Sequence, residues 1–217
     1  MAKQKLIIFD LDGTLVDSLD DLTVSVNHML SVFGRPSVCR DVVRGMVGQG
    51  AKILVERAMP GACEDELRRG LDIFLSHNEK HLADRTVPFP GVVSTLTTLQ
   101  QAGHVMVVVT NKNESLSRSL LAALELTVYF RGIYGADTLP SRKPSPEPLV
   151  HVMTEQGYTP GDTVMVGDSI NDIASGNGAG VTTVGCSWGY GDDAELAEAS
   201  WRIDRFADLL QLPPVTE

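Results

Sequence analysis

Three short apolar runs recur along the chain, and each one ends in polar residues. They are KLIIFD at 5–10, HVMVVVTN at 104–111 and DTVMVGD at 162–168. Each run is rich in Val or Ile and shows no alternation of apolar and polar residues, which is typical of strands that are covered on both faces. Such strands occur almost only in parallel sheets that carry helices on both sides. The runs therefore indicate an α/β fold.

Helical patterns separate these runs. Apolar residues recur with helical spacing at 113–125 and at 171–179, and a further apolar run, GVTTVGC, follows at 180–186. Alternating strands and helices predict a doubly wound parallel sheet with a Rossmann-like core. Three glycines between 176 and 180 weaken the second of these helices, by about 1 kcal/mol for each glycine in its interior.

The polar ends of the runs are expected to meet. In a parallel sheet all strands present their carboxyl ends at one edge, and ligands bind there. Asp10, Thr110 and Asp168 each follow an apolar run directly. We therefore expect these three side chains to lie at one site although they are far apart in the sequence.

A helical segment interrupts the pattern after the first run. Between 16 and 88 the apolar residues recur at steps of three and four, and no stretch looks like a strand. The prediction is a catalytic α/β core domain formed by 1–15 and 89–217, with a helical cap domain, 16–88, inserted into it. The cap helices are expected at about 19–33, 51–59 and 64–82.

Composition limits the partners and the location of the protein. Lys and Arg number 18 against 28 Asp and Glu, which gives a formal net charge of −10 and argues against nucleic acid or an anionic membrane as a partner. No apolar stretch approaches the ~20 residues of a membrane span, and no secretory signal is evident, so we expect a cytoplasmic protein. The three cysteines form no CxxC pair and predict neither disulfides nor zinc. A monomer and a homodimer both stay open.

Four carboxylates are expected at the sheet edge: Asp10, Asp12, Asp168 and Asp172. Each one alone is explained by the preference of aspartate for turns and helix N-caps. Together, with no sulfur or imidazole close in the sequence, they match a hard cation that prefers oxygen ligands. The sequence therefore predicts a Mg²⁺ site.

Other polar residues suit a phosphate group. Thr110 and Asn111 offer hydrogen-bond donors at the end of the second run, and Lys143 is followed by Pro144 and Pro146 in the proline-rich loop SRKPSPEP. A lysine held in this way is a point charge that can bind phosphate. We expect these three residues to bind the phosphoryl group of a substrate.

Four motifs carry a resemblance to a known family. DLDGTLVDS (10–18), VVVTNK (107–112), RKPSPEP (142–148) and MVGDSINDI (165–173) resemble, in order, the four motifs of the haloacid dehalogenase-like hydrolase superfamily. The segment VGQGAKILVERA (47–58) is similar to the cap of the phosphoglycolate phosphatase group within it.

The resemblance implies a mechanism. Asp10 would attack phosphorus to give an aspartyl-phosphate, and Asp12 would protonate the leaving oxygen and later take a proton from water. A proton on Asp12 would be favoured by its anionic neighbours. Mg²⁺ would be held by Asp10, the backbone carbonyl of Asp12 and Asp168, with support from Asp172. Thr110, Asn111 and Lys143 would bind the phosphoryl group.

The expected function is Mg²⁺-dependent hydrolysis of a small phosphorylated metabolite, with 2-phosphoglycolate as the leading candidate. The cap would close over the edge and exclude bulky esters and bulk water. Arg44, Gln49 and Lys52 are candidates for reading the other end of the substrate. A phosphosugar phosphatase or phosphomutase on the same site stays open, as does a non-catalytic phosphoacceptor or phosphate-sensing module.

Overall fold

The computed structural model describes residues 4–216, and a six-stranded sheet forms its centre. The predicted runs all form strands of this sheet, and two short strands outside it form a separate antiparallel pair. The strands are β1 (Leu6–Phe9), β2 (Val16–Asp17), β3 (Val87–Pro88), β4 (Val105–Val109), β5 (Gly132–Tyr134), β6 (Thr163–Gly167), β7 (Thr182–Cys186) and β8 (Trp201–Ile203).

Strand order in the large sheet is β5-β4-β1-β6-β7-β8, and every neighbouring pair is parallel. The chain thus builds the sheet outward from β1 in both directions. A crevice at such a change of direction, outside the carboxyl ends of the strands, is where doubly wound sheets bind ligands. The predicted α/β fold is confirmed. The two edge strands, β5 and β8, were not predicted, because each is three residues long and too short to form a recognisable apolar run.

The central strand β1 shows why these runs lack polar alternation. Successive side chains of a strand point to opposite faces of the sheet. Ile7 and Phe9 belong to one buried apolar cluster, whereas Leu6 and Ile8 belong to a second cluster on the other side. All four are fully buried, so a polar residue at any of them would lose water without gaining a partner.

Helices cover both faces of the sheet. Side chains of the helices at 92–101 and 114–123 pack into the first cluster, and those of the helix at 147–156 pack into the second. The predicted helices at 113–125 and 171–179 are confirmed to within two residues at each end. The helices are α1 (Leu19–Val32), α2 (Arg40–Arg44), α3 (Gly50–Ala58), α4 (Glu64–Lys80), α5 (Val92–Gln101), α6 (Glu114–Ala123), α7 (Glu147–Gln156), α8 (Ile170–Ala179) and α9 (Pro213–Thr216).

The glycines of α8 do not shorten it. The helix continues to Ala179 and ends at Gly180, whose φ is +71°. A Cβ on Gly176 would collide with the methyl group of Thr183 in β7. The helix therefore gains a close approach to the sheet, which offsets the low helix propensity of glycine.

Helices α1 to α4 form the predicted insertion. They enclose an apolar cluster of their own, built around Val26, Met29, Val55 and Phe74. The short helix α2 was not predicted, because only five residues carry it. The division into a core domain, 1–15 and 89–217, and a cap domain, 16–88, stays a prediction.

One expectation for the insertion is wrong, because it contains strand pairing at its two ends. Strands β2 and β3 pair antiparallel, with Val16 opposite Pro88 and Asp17 opposite Val87. Both connections between core and insertion run side by side there, so each satisfies backbone groups of the other. The buried carboxylate of Asp21 reinforces this junction by accepting hydrogen bonds from the backbone N–H groups of Arg85 and Thr86, at 3.0 and 2.9 Å. Two residues are too few to give a strand pattern.

Among residues 4–216, no helix combines the length and the apolar character that crossing a bilayer requires.

Candidate active site

The predicted carboxylates converge at the carboxyl edge of the sheet. Asp10 follows β1 and Asp168 follows β6, while Asp172 lies in the first turn of α8. One carboxylate oxygen of each of these three residues lies within 4.8 Å of the others. The expectation that distant strand ends meet at one site is thus met for Asp10 and Asp168.

A buried lysine joins two of the carboxylates. Lys143 Nζ lies 2.8 Å from Asp10 Oδ1 and 2.6 Å from Asp172 Oδ1, and the lysine is 3% exposed. Asp172 Oδ2 accepts hydrogen bonds from the backbone N–H and hydroxyl of Ser169 at 3.0 and 2.8 Å, which caps α8. Lys143 and the helix start therefore fix the geometry of this side of the site.

Asp168 is held from the other side. Thr14 Oγ1 donates to its Oδ1, and the backbone N–H of Tyr190 donates to its Oδ2, each at 2.7 Å. Gly13, with φ +91°, brings the backbone so close that a Cβ would collide with the Asp168 carboxylate. Only glycine tolerates this approach in a left-handed conformation.

Burial beside other negative charges raises the pKa values of Asp168 and Asp10. Burial raises the pKa of Asp168 to about 8, and the negative charges of Asp172 and Asp10 add to the effect. Burial also raises the pKa of Asp10 to about 6, against the opposing charge of Lys143. Asp168 and Asp10 therefore favour protons unless another cation is present. Because all three donors are carboxylates, the group fits a hard divalent cation such as Mg²⁺.

Asp12 stands in different surroundings from those expected. Its carboxylate accepts a hydrogen bond from Ser18 Oγ at 2.5 Å and lies 3.2 and 3.3 Å from Lys112 Nζ. We expected Asp12 to lie beside anionic neighbours. The charged group in contact with its carboxylate is instead the cation Lys112. The sequence signal for Lys112 was its place in VVVTNK, two residues after Thr110.

Thr110 and Asn111 lie at the end of β4, as predicted, and both are buried. Thr110 Oγ1 accepts a hydrogen bond from the backbone N–H of Lys112 at 3.2 Å. The side-chain amide of Asn111 donates to the carbonyl of Lys143 and to that of Gly48 in the insertion, both at 2.9 Å. Asn111 thus connects the sheet edge to the insertion in addition to lying at the site.

Two cavities open onto the carboxylates. The first extends from Asp10 and Asp12 past Lys112 to apolar side chains of the insertion, including Leu54 and Phe74. Its lining also includes Thr110, Asn111, Lys143 and Asp172. The second lies beside the same two aspartates and is lined by Asp168, Tyr190, Arg44, Gln49 and Arg57.

The three candidate residues of the insertion are placed differently from one another. Arg44 donates to the carbonyls of Tyr190 at 3.0 Å and Gly189 at 2.7 Å. Gln49 Oε1 accepts a hydrogen bond from Arg57 at 2.9 Å. Lys52 is exposed on α3 and lines neither of these two cavities. A role in substrate recognition stays a prediction for Arg44 and Gln49, and the position of Lys52 does not support one.

Comparison with known proteins places the chain in a family. The model of the haloacid dehalogenase-like hydrolase family matches residues 7–186. The chain belongs to this family. Phosphoglycolate phosphatase 1 of Pseudomonas aeruginosa is 41% identical over 215 residues, which cover 95% of this chain and 78% of that protein. The phosphoglycolate phosphatase of Haemophilus influenzae is 37% identical over 218 residues, covering 96% and 97% of the two chains.

A solved structure supports the assignment of this chain to the haloacid dehalogenase-like hydrolase family. A crystal structure described as a predicted phosphoglycolate phosphatase from Haemophilus somnus superposes with a TM-score of 0.93 at 34% identity, over 97% of this chain and 98% of that one. The similarity therefore includes the insertion as well as the sheet.

Proposed function

We propose that the protein is a Mg²⁺-dependent phosphomonoesterase that hydrolyses 2-phosphoglycolate through an aspartyl-phosphate on Asp10. The observation that carries this proposal is the convergence of Asp10, Lys143 and the buried acidic group at the mouth of a cavity that the insertion covers. The names of the related phosphoglycolate phosphatases support the choice of substrate.

Asp10, Asp168 and the backbone carbonyl of Asp12 would hold the metal, and Asp172 would support the site. The bound ion would neutralise charge on the phosphoryl oxygens and on the carboxylates. Lys143 keeps the Asp10 carboxylate oriented and offers a further positive charge to the phosphoryl group. Thr110 and Asn111 would complete the phosphate site from the end of β4.

Two steps use the two aspartates of the DLD sequence. A carboxylate oxygen of Asp10 forms a bond to phosphorus while the bond from phosphorus to the ester oxygen breaks, and Asp12 donates a proton to that oxygen, which releases glycolate. Water then attacks phosphorus, the Asp12 carboxylate accepts its proton, and inorganic phosphate leaves Asp10 free. Ser18 and Lys112 hold Asp12 in place for both transfers.

The domain organisation is part of the same proposal. A cap of residues 16–88 would close over a core of residues 1–15 and 89–217 and exclude bulk water from the phosphoenzyme. Contacts from Asn111 and Asn171 to the carbonyl of Gly48 support a closed arrangement. A cytoplasmic location and a monomeric or homodimeric state stay predictions.

Steady-state kinetics test the proposal. Purified protein with Mg²⁺ should release phosphate from 2-phosphoglycolate over many turnovers, faster than from a panel of sugar phosphates, and EDTA should abolish the activity. Asp10→Asn should lose activity, whereas Asp72→Asn, the same change at an exposed position of α4, should not. A single burst without turnover would favour a phosphoacceptor module, and a preference for sugar phosphates would favour the phosphosugar phosphatase or mutase.

A further inference from the structure

Lys112 is a largely buried cation beside the reaction centre, and its only part in the phosphoryl transfer proposed above is to hold Asp12 in place. Its ammonium group contacts both carboxylate oxygens of Asp12, and the two side chains are 9% and 12% exposed. Lys112 also lines the first cavity, between the carboxylates and the insertion. A lysine side chain is rarely buried unless its charge is paired.

The cations that line this cavity, among the described residues, are Lys112 and Lys143. Lys143 is committed to Asp10 and Asp172 by contacts of 2.8 and 2.6 Å. The contacts of Lys112 to Asp12 are longer, at 3.2 and 3.3 Å, and an ammonium group has three donors. Lys112 therefore has the capacity to bind a second anion while it stays beside Asp12.

The position of Asp12 fixes where that anion would lie. To protonate the leaving oxygen, Asp12 must lie about 2.8 Å from it. In 2-phosphoglycolate a single methylene separates this oxygen from the carboxylate. An anion so close to the leaving oxygen falls within reach of the cation that contacts Asp12. In a sugar phosphate the corresponding position is an uncharged carbon that bears a hydroxyl group or the ring oxygen.

The cavity wall strengthens this preference. Apolar side chains form part of the lining of the cavity that Lys112 also lines, and such side chains lower the local dielectric constant. A substrate carboxylate there would be poorly solvated without a cationic partner. The apolar side chains of this lining include Leu22, Leu54, Phe74, Leu75 and Leu116.

We infer that Lys112 recognises the carboxylate of the substrate and so sets the preference for a phosphorylated 2-hydroxy acid. This inference rests on the proposed function and adds the residue that selects the substrate. It differs from the expectation for the insertion, because the selecting cation comes from the loop after β4.

A pair of matched substrates tests the inference. 2-Phosphoglycolate and its amide, carbamoylmethyl phosphate, share the phosphate, the leaving oxygen and the methylene. They differ in that an uncharged amide group replaces the carboxylate. The ratio of their kcat/KM values isolates the charge, since any effect of Lys112 on Asp12 acts on both substrates. Lys112→Met should lower the ratio of acid to amide by roughly thirtyfold or more, the effect of removing one member of a buried charge pair.

Two further variants control the experiment. Lys112→Arg should retain most of the preference for the acid, because the positive charge remains. Lys52→Met, the same change at an exposed residue of α3, should leave the ratio unchanged. Thermal unfolding confirms that each variant is folded.

Several outcomes would overturn the inference. Equal losses for acid and amide in Lys112→Met would mean that Lys112 acts through Asp12 alone. Loss of the preference in Arg57→Met but not in Lys112→Met would place the carboxylate in the second cavity, which Arg57 lines. A wild-type protein that hydrolyses neither ester would refute the proposed function itself, and the inference with it.

Discussion

The sheet edge and the insertion both present charged side chains to the site, but the two regions use them differently. At the edge, Lys143 contacts Asp10 at 2.8 Å and Asp172 at 2.6 Å. In the insertion, Arg44 contacts backbone carbonyls of the core and Lys52 faces solvent. Charges at the edge are therefore held by one another, whereas in the insertion Arg44 serves packing between the two regions and Lys52 is solvated.

Topology explains this difference. Residues that follow parallel strands must lie at one edge, whatever their distance in sequence. Side chains of helices and loops have no such constraint, because the site toward which they point depends on tertiary contacts that a helical pattern does not specify.

Tyr190 joins the two regions. Its backbone N–H donates to Asp168, and its hydroxyl accepts a hydrogen bond from the N–H of Ser18 at 2.7 Å and donates one to Asp17 at 3.1 Å.

The largest effect is expected for Lys143→Met, which breaks the network at the edge. Removing one partner of a buried ion pair leaves uncompensated charge and lowers stability by about 3–5 kcal/mol. Loss of a positive charge at the phosphoryl group should also lower kcat by about 100-fold or more. Urea unfolding and steady-state kinetics measure the two effects, with Lys52→Met as the control of equal charge. Similar losses in both variants would remove the distinction between the two regions.

A second large effect concerns pH. The pKa of Asp168 is raised from 3.8 to about 8 and that of Asp10 to about 6, chiefly by burial. Between pH 3.8 and about pH 8 the folded state binds protons that the unfolded state has released. The metal-free protein should therefore lose stability as the pH rises through this range. The free energy of unfolding of wild type minus that of Asp168→Asn should fall by up to about 1.4 kcal/mol per pH unit.

Urea unfolding in EDTA across this window measures that difference, and saturating Mg²⁺ should remove the decline, because a bound cation favours charged carboxylates. A difference that stays constant with pH would show that Asp168 is ionised in the metal-free fold.

Much of the edge could be predicted from sequence, and much of its environment could not. The positions of Asp10 and Asp168 followed from apolar runs that end in aspartate, since burial on both faces leaves few ways to place such strands. The contact between Asp12 and Lys112 depends on how a long side chain turns back over the loop after β4, and no pattern encodes this. The pairing of β2 with β3 was missed because two residues on each side carry no periodicity.

An intermediate effect is expected for Tyr190→Phe, which tests the connection between the regions. The change removes the hydrogen bonds of the hydroxyl with Ser18 and Asp17 and leaves the backbone contact to Asp168 in place. We expect a loss of about 1–2 kcal/mol in the free energy of unfolding. Because Ser18 also holds Asp12, kcat should fall more than KM rises. Tyr158→Phe, on the turn between α7 and β6, is the control, and equal effects in the two variants would contradict the connection.

The smallest effect is expected for Lys52→Met, where the distinction between the regions is sharpest. Lys52 lies within the segment that is similar to the cap of the phosphoglycolate phosphatase group, yet its side chain is exposed and lines neither cavity. Surface substitutions of this kind change stability by less than about 0.5 kcal/mol. We therefore expect unchanged unfolding and unchanged kcat/KM for 2-phosphoglycolate, measured at low and at high salt. A salt-sensitive rise in KM would instead mean that Lys52 attracts or contacts the substrate, and that the insertion contributes charge to recognition after all.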